Sequence, residues 1–302
     1  MRYFIFYTLL ILPIIIPHNS FATSNTLNWS GCGISKKAYM TDLAKAYKIK
    51  KGISINLQGG GATKGIRQVA DHTTDIGGAC RYYLPGNNLE KSVAFEPVAW
   101  DALVVIVNKN NPVQDISFQQ VHDLYSGKIT NWKQLGGDDT AIKLYTRKGK
   151  ISGVGYTIRK LIFANPDKTF AHTKEFKSSG PLEKAILEDE NAIGITGISS
   201  ARLRDLKILT LNGKKPDYLS IRRGNYSLYR PLFLTYNPQS ENVETIKDFI
   251  NFAHSSTGRK IMKKNGVVPY LEALVLVMKQ VQQDQLAQKT SANDYTSTKS
   301  SY

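Results

Sequence analysis

Apolar residues along the chain form short runs that alternate with segments of helical periodicity, and this alternation predicts the fold. The clearest run is 100–108, a continuous, largely β-branched stretch typical of a strand that is buried on both faces. Residues 192–197 and 230–236 predict two more strands, whereas 243–253 carries apolar side chains at helical spacing. Strands that alternate with helices in this way indicate an α/β architecture with a mainly parallel sheet.

A glycine-rich loop follows the alternating run 53–57 and precedes another helical segment. Gly59, Gly60 and Gly61 allow positive φ angles and a close approach of the backbone to a ligand. The helix behind them begins with N–H groups that have no partner within the helix. Such a loop can bind an anion, although the same sequence also suits a plain tight turn. It does not match the P-loop motif, because the residue before Lys64 is not glycine.

The same order of strand, glycine-containing loop and helix start recurs in the middle of the chain. A strand predicted at 141–146 leads to Arg147, and the loop behind it contains Ser152 and Gly153. A helix is expected from about residue 156. A second loop of this kind supports the interpretation of the first as part of an anion site.

The amino terminus has the three regions of a secretory signal peptide. A basic residue precedes the apolar run 4–17, and we place cleavage after residue 22, so that 1–22 is removed. The mature chain is therefore expected outside the cytoplasm, in the periplasm or the extracellular space. A lipoprotein signal that ends at Cys32 is the alternative, but Trp29 stands where that signal usually has leucine.

Charge and composition narrow the range of partners. The formal net charge of the 302 residues is +16, which attracts anions over a long range. Nucleic acid is the weaker interpretation, because the basic residues are scattered and no aromatic-interleaved basic motif is present. The five histidines show no metal-ligand spacing, so neither a metal nor a cofactor is expected. Cys32 and Cys80 permit one disulfide in an exported protein, but their number alone does not show pairing.

Short sequence blocks, in the same order along nearly the whole mature chain, match one known family. The blocks are 59–66, 75–81, 101–108, 111–113, 126–132, 192–194, 229–232 and 256–269. With these blocks the sequence resembles the phosphate-binding proteins of bacterial phosphate ABC transporters, which are type II periplasmic binding proteins. The block that ends in Asn131-Trp132 is particularly specific to these proteins.

The resemblance implies a two-lobed α/β clamp with the ligand between the lobes. Each lobe would be a mainly parallel sheet flanked by helices, the first built from 27–107 plus 231–270 and the second from 108–230. Two crossovers between the lobes would form the hinge. A last helix is expected at 271–290, and the Ser/Thr-rich composition of 291–302 predicts a disordered tail.

The resemblance also implies a set of ligand-binding residues, carried over position by position. They would supply hydroxyl, guanidinium and backbone N–H donors, which make short, charge-assisted hydrogen bonds to a tetrahedral oxyanion in a closed cleft. These residues are Ser35, Thr63, Arg81, Arg147, Ser152 and Gly153.

A carboxylate that faced the ligand would accept the proton of hydrogen phosphate and repel fully ionised sulfate. Our candidate is Asp101, at the start of the buried strand. An aspartate at the start of a strand is about equally often a structural cap, so both roles stay open.

The pattern departs from the family at the site. The family usually has serine at the position of Cys80 and threonine at that of Val154, and the loop from Arg147 to Ser152 is one residue longer than the tightest family spacing. Either the loop still delivers its N–H groups or the pocket suits another anion. Cys32 and Cys80 end neighbouring strands in the family fold, so we predict that they approach closely and are able to form a disulfide beside the site.

The resemblance implies an extracytoplasmic solute-binding protein that closes on inorganic phosphate and presents it to a membrane ABC permease, as a monomer. Two alternatives stay open. One is a binding or sensing protein for another oxyanion that is not coupled to uptake. The other, weaker alternative is a phosphate-ester enzyme, because Lys150 and Val154 stand where a nucleophile elbow around Ser152 requires glycine.

Overall fold

A 15-residue strand runs through the centre of the protein and contains the apolar run predicted from the sequence. The computed structural model describes residues 26–84 and 86–299, and in it this strand covers Ala94–Asn108. All its residues from Val98 onward are buried, as expected for a strand covered on both faces. Its first part pairs with one neighbour and its second part with another, so it connects two groups of strands.

The strands form one large sheet and a separate pair. In chain order they are β1 (Thr26–Gly31), β2 (Ser54–Gly59), β3 (Ile76–Ala79), β4 (Ala94–Asn108), β5 (Asp115–Ile116), β6 (Lys143–Arg147), β7 (Lys174–Phe176), β8 (Ala192–Gly197), β9 (Leu206–Ile208), β10 (Thr210–Leu211), β11 (Tyr229–Tyr236) and β12 (Val268–Pro269). The large sheet has the order β2-β1-β3-β11-β4-β8-β6-β7, and β9 and β12 also pair with β4. β1 is parallel to β2 and β3, and β6 is parallel to β7 and β8, whereas β4 is antiparallel to β11 and β8.

Helices connect the strands and confirm the predicted α/β class. They are α1 (Gly33–Ser35), α2 (Thr41–Lys51), α3 (Ala62–Ala70), α4 (Phe118–Tyr125), α5 (Gly153–Phe163), α6 (Ser179–Leu187), α7 (Ile198–Ala201), α8 (Tyr218–Arg222), α9 (Val243–His254), α10 (Ser256–Lys264) and α11 (Val275–Lys299). A π-helical segment, Lys36–Met40, joins α1 to α2, and short 3-10 helices cover Asn88–Glu90, Trp132–Leu135 and Tyr270–Glu272. Local sequence explains several helix ends, since Ser117 and Gln120 form a capping box at the start of α4.

The pairing of β4 changes between Ala102 and Leu103. Residues up to Ala102 pair with β11, which lies beside β3, β1 and β2. Residues from Leu103 to Val107 pair with β8, which leads to β6 and β7. Each of the two groups therefore contains its own set of parallel strands, and β4, which both groups share, lies between them. The division into lobes at the residues given above stays a prediction.

The end of the chain differs from the prediction. α11 begins at Val275 and continues to Lys299, so the prediction of a disordered tail was wrong for residues 291–299. The Ser291 hydroxyl donates to the Phe163 carbonyl at 2.5 Å, and Asp294 lies 3.7 Å from the Lys168 ammonium group. These contacts stabilise a helix that polar composition alone does not predict. Residues 300–302 lie outside the described residues.

The predictions for the amino terminus have different outcomes. The predicted signal peptide, 1–22, lies outside the described residues. β1 ends at Gly31 and lies between β2 and β3 in the sheet. Cleavage of a lipoprotein signal before Cys32 would remove this inner strand, so the fold contradicts that alternative. No helix in the described part of the chain combines the length and the apolar character needed to cross a membrane.

Candidate anion-binding site

A cavity of about 410 Å³ lies where the carboxyl ends of β1, β2, β3 and β6 come together. It is lined by Cys32, Gly33, Ile34, Gly59, Gly60, Gly61, Ala62, Cys80, Arg147, Gly153, Val154, Lys177, Ser178 and Ser179. Two of these residues are basic, and none of the described residues that line the cavity is acidic. The cavity therefore favours a small anion over a cation or an apolar ligand.

Four helices begin at this cavity. Their first residues, Gly33 of α1, Ala62 of α3, Gly153 of α5 and Ser179 of α6, all line it. The first N–H groups of a helix have no partner within the helix, and the helix dipole places partial positive charge there. α1 is short, but it continues through the π-helical segment into α2. Four positive helix ends around one small space are suited to binding an anion.

Three of these helix starts lack a capping side chain. Gly61 has no side chain to cap α3, and neither Ser152 at α5 nor Ser178 at α6 makes a side-chain capping hydrogen bond. Ser152 Oγ is buried and has no hydrogen-bond partner in the described structure. Serine normally caps a helix, so these uncapped starts leave hydrogen-bond donors available beside the cavity.

Two glycines shape the wall through their backbone. Gly61 has φ 95, in the region that favours glycine, and this conformation turns the loop after β2 into the start of α3. A Cβ atom on Gly153 would lie 2.4 Å from Cys80 Sγ. Glycine at 153 therefore allows the start of α5 to approach the end of β3 across the cavity.

Arg147 is the charged centre of the site. Its Nε donates to the Phe176 carbonyl at 3.2 Å, Nη1 to Ser179 Oγ at 2.9 Å and Nη2 to the Lys177 carbonyl at 2.6 Å. A guanidinium carries five N–H groups, so one on each terminal nitrogen remains available for an anion. The segment from Phe176 to Ser179 thus fixes the side chain, which lines the cavity with part of its hydrogen-bonding capacity unused.

Ser35 and Thr63 lie near the cavity without lining it. The Ser35 hydroxyl donates to the Ala79 carbonyl at 3.4 Å and lies 3.2 Å from Cys32 Sγ. The Thr63 hydroxyl donates to the Ile151 carbonyl at 3.0 Å, which connects α3 to the loop before α5. In this structure both hydroxyls stabilise the walls, and direct contact with a ligand stays a prediction.

Arg81 and Asp101 are each held in a buried ion pair. Arg81 makes a bidentate pair with Glu90, with Nη2–Oε1 2.6 Å and Nη1–Oε2 3.1 Å, while Asp101 Oδ2 accepts from Arg230 Nη2 at 3.1 Å. Burial raises the pKa of Asp101, and Arg230 opposes that shift. Neither Arg81 nor Asp101 lines the cavity, so the geometry favours structural roles for both.

Sequence reasoning missed two parts of the site. Lys177, Ser178 and Ser179 line the cavity at the start of α6, where two serines followed by Gly180-Pro181 carry the signal of a helix start. In the sequence, Arg230 stands out only as part of the family block 229–232. It is fully buried and donates to the Cys80 carbonyl at 2.6 Å, and so supports the cavity wall from behind. No pattern in the sequence indicates that contact.

The two cysteines meet in the cavity wall. Cys32 and Cys80 are buried free thiols that follow neighbouring strands and line the same cavity, which agrees with the predicted close approach, without a disulfide. Burial opposes ionisation of Cys32, but hydrogen bonds from Cys80 and Ser35 and the charge of Arg230 lower its pKa to about 7. The hydrogen bond to Cys32 and burial raise the pKa of Cys80. The pair therefore favours one thiolate, on Cys32.

The described residues offer no alternative site for a metal. Within 26–84 and 86–299, no group of three or more histidine, cysteine, aspartate or glutamate residues is arranged to hold an ion. The chemistry of the cavity is that of hydrogen-bond donors and positive charge.

Comparison with known proteins matches the sequence that builds this site to one family. Residues 32–257 match the PBP superfamily domain. The matched range begins at Cys32 in the cavity wall and contains all the residues that line the cavity.

Two individual relatives are named as phosphate-binding proteins. The chain is 25% identical over 254 residues to the phosphate-binding protein PstS of Bacillus subtilis, with 83% of each chain covered. It is 26% identical over 228 residues to PstS of Borreliella burgdorferi, which covers 72% of this chain and 81% of the relative.

Solved structures show the same similarity. A phosphate ABC transporter substrate-binding protein from Clostridium perfringens, solved with bound phosphate, has a TM-score of 0.71 and 28% identity, covering 81% of this chain and 99% of that one. An ABC-type phosphate transport receptor from Vibrio cholerae has a TM-score of 0.63 and 26% identity, covering 80% and 99%.

Proposed function

The chain belongs to the PBP superfamily, and from this premise we propose that it binds inorganic phosphate in the cavity and delivers it to a membrane ABC permease. The observation that carries the proposal is the convergence of four helix starts and Arg147 on one cavity without acidic lining. The names of the relatives support phosphate as the ligand, as does the phosphate bound in the Clostridium perfringens protein. The family is one of substrate-binding proteins rather than enzymes.

The donors in the cavity match the oxygen atoms of a tetrahedral anion. The N–H groups at the starts of α1, α3, α5 and α6 approach from different directions, and Arg147 has two N–H groups to spare. The unpartnered Ser152 hydroxyl is a further donor at the start of α5. Of the predicted ligands, the geometry supports Arg147, Ser152 and Gly153 most directly. Thr63 and Ser35 act in this proposal through the walls that they stabilise.

Arg81 and Asp101 have supporting roles in this proposal. Arg81 is neutralised by Glu90, and Asp101 holds Arg230, which in turn donates to the Cys80 carbonyl. Asp101 is fully buried behind the cavity, which it does not line. We assign it to positioning Arg230 first, and to selecting hydrogen phosphate over sulfate second.

Transport requires export and movement of the lobes. The predicted signal peptide supports a location in the periplasm or outside the cell, where a binding protein meets its permease. Hydrogen bonds connect the two sides of the cavity, for example from Thr63 to the Ile151 carbonyl and from Thr157 to the Cys80 carbonyl. We propose that breaking and remaking such contacts accompanies opening and closure of a monomer on its ligand.

Isothermal titration of phosphate into phosphate-free mature protein tests the function. We expect saturable binding of one phosphate per chain, with arsenate competing and sulfate competing weakly. Cys80 and Val154, both of which line the cavity, favour a second candidate, an oxyanion other than phosphate. Tight binding of sulfate or arsenate with no heat from millimolar phosphate would establish that candidate, and no response to any of the three anions would refute an oxyanion site.

A further inference from the structure

The architecture of the sheet places Cys32 and Cys80 at the ends of neighbouring strands. β1 and β3 are parallel neighbours with Gly31 paired to Gly78, and the Cys32 N–H group donates to the Gly78 carbonyl at 3.0 Å. Each cysteine follows the carboxyl end of its strand. Neighbouring strands lie about 4.8 Å apart, within the range of Cα separations that a disulfide spans. Both residues line the same cavity.

The two thiols have different surroundings. Cys32 Sγ accepts a hydrogen bond from the Ser35 N–H group at 3.3 Å and lies 3.2 Å from the Ser35 hydroxyl, at the start of a helix. These donors stabilise a thiolate. Cys80 is packed against Gly153, and only its backbone carbonyl accepts from Arg230. Cys32 is thus arranged as the attacking sulfur and Cys80 as the resolving one.

We propose that Cys32 and Cys80 form a reversible dithiol–disulfide modification site in the wall of the anion cavity, which reacts with small disulfide oxidants and whose redox state sets the affinity for the anion. The formation of the disulfide does not depend on the proposed function, whereas its effect on phosphate rests on it. The binding of phosphate does not itself require the thiols.

The chemistry balances with a disulfide as oxidant. The Cys32 thiolate attacks one sulfur of the oxidant, whose S–S bond breaks and releases one thiolate. Cys80, after losing its proton, attacks Cys32 Sγ in the mixed disulfide and releases the second thiolate. In net terms one S–S bond is formed and one is broken, and two electrons pass to the oxidant. The oxidant leaves as two thiols, with one proton from Cys80 and one from the solvent that had taken up the Cys32 proton.

Oxidation would change the cavity in two ways. It fixes the two sulfurs in a bond of about 2.05 Å, and this moves Cys80 Sγ, which packs against Gly153 at the start of α5. It also removes the Cys32 thiolate from the wall. The groups around that thiolate are Cys80, Arg230, Arg147 and Tyr39, so its negative charge competes with the anion for Arg147. At pH 8 we therefore expect the oxidised protein to bind phosphate more tightly.

Glutathione disulfide is a direct probe of the pair. Reduced full-length mature protein is treated with it, alkylated and analysed by mass spectrometry with peptide mapping. We expect the two alkylated cysteines of the reduced protein to be replaced by a Cys32–Cys80 linked peptide, and dithiothreitol to restore them. Cys32→Ser and Cys80→Ser variants should yield at most a mixed disulfide with glutathione. Two thiols that stay alkylatable, or only mixed disulfides in the wild type, would overturn the modification site.

Titration of phosphate into the two redox forms at pH 8 tests the effect on binding. We expect at least threefold tighter binding by the oxidised form, a difference that shrinks at pH 6 and is absent in the Cys32→Ser/Cys80→Ser double variant. Equal affinities of both forms within twofold would overturn the coupling. If no form binds phosphate, the proposed function fails, and the mass-spectrometric result still decides whether the pair is a modification site.

Discussion

The two walls of the cavity contact the ligand space with different chemistry. The first wall consists of residues 32–34, 59–62 and Cys80, and the second of Arg147, Gly153, Val154 and residues 177–179. The first wall presents backbone N–H groups and two thiols. It carries no charged side chain as long as both thiols are protonated. The second wall presents a guanidinium, an ammonium group and two hydroxyls. Charge for holding an anion is therefore concentrated in the second wall.

Charged residues near the first wall are neutralised before they reach the cavity. Arg81 pairs with Glu90, and Arg230 pairs with Asp101, all four side chains being almost fully buried. A buried ion pair is costly to break, because the remaining charge has no solvent to stabilise it. The two arginines that match family positions therefore differ in their partners: Arg81 is neutralised by a carboxylate, whereas Arg147 is held by two carbonyl groups and a hydroxyl.

The largest expected effect comes from breaking the ion pair between Arg81 and Glu90, which lies near the first wall. Arg81→Met leaves Glu90 buried without its cation and should lower the free energy of unfolding by about 3–5 kcal/mol. Urea denaturation measures this loss, and titration of the folded variant should show phosphate affinity within about threefold of wild type. An Arg81→Met/Glu90→Leu double variant is the control, and we expect it to recover most of the stability. Loss of binding with unchanged stability would make Arg81 a ligand after all.

Much of the fold could be predicted because hydrophobic patterning is a local property. The run around β4 and the apolar spacing of α9 place these elements correctly, since burial on both faces or on one face leaves a direct trace in the sequence. The glycine loop before α3 and the loop before α5 were both recognised from the same rule of strand, glycine and helix start. The rule works because backbone geometry restricts which residues can occupy such loops.

Other features could not be predicted because they depend on distant contacts. Which partner an arginine finds is a tertiary property, so Arg81 and Arg147 could not be separated by sequence, although Glu90 lies only nine residues after Arg81. The helical end of α11 depends on contacts such as that of Ser291 with Phe163. The serines before α6 do carry a helix-start signal, but nothing local shows that this helix begins at the cavity.

Removing charge from the second wall should have the next largest effect. Arg147→Ala takes the guanidinium from a buried anion site and should weaken phosphate binding by at least ~2–3 kcal/mol. Isothermal titration measures the change. Lys148→Ala is the matched control, because it removes an exposed positive charge from the next residue, and it should change affinity by less than about twofold. Similar losses in the two variants would mean that the second wall acts only through long-range charge.

The first wall should acquire charge only as pH rises. The pKa of Cys32 is lowered to about 7, so its thiol is mostly neutral at pH 6 and mostly thiolate at pH 8. A negative charge beside the cavity opposes anion binding by on the order of 1 kcal/mol. Reduced wild type should therefore lose affinity relative to Cys32→Ser between pH 6 and 8. The ratio cancels the titration of phosphate itself, and a ratio that is independent of pH would show that no thiolate forms at the site.

The smallest effect concerns the hydroxyls of the second wall, where two adjacent serines have different surroundings. Ser179 is buried and its Oγ accepts from Arg147 Nη1 at 2.9 Å, whereas Ser178 is exposed and makes no capping hydrogen bond. Ser179→Ala should weaken phosphate binding by about 0.5–1.5 kcal/mol, because Arg147 loses a fixed partner and the ligand loses a hydroxyl donor. Ser178→Ala is the control and should stay within a few tenths of a kcal/mol of wild type. Titration of both variants decides the point: a larger loss at Ser178 would place the ligand at the mouth of the cavity and not against Arg147.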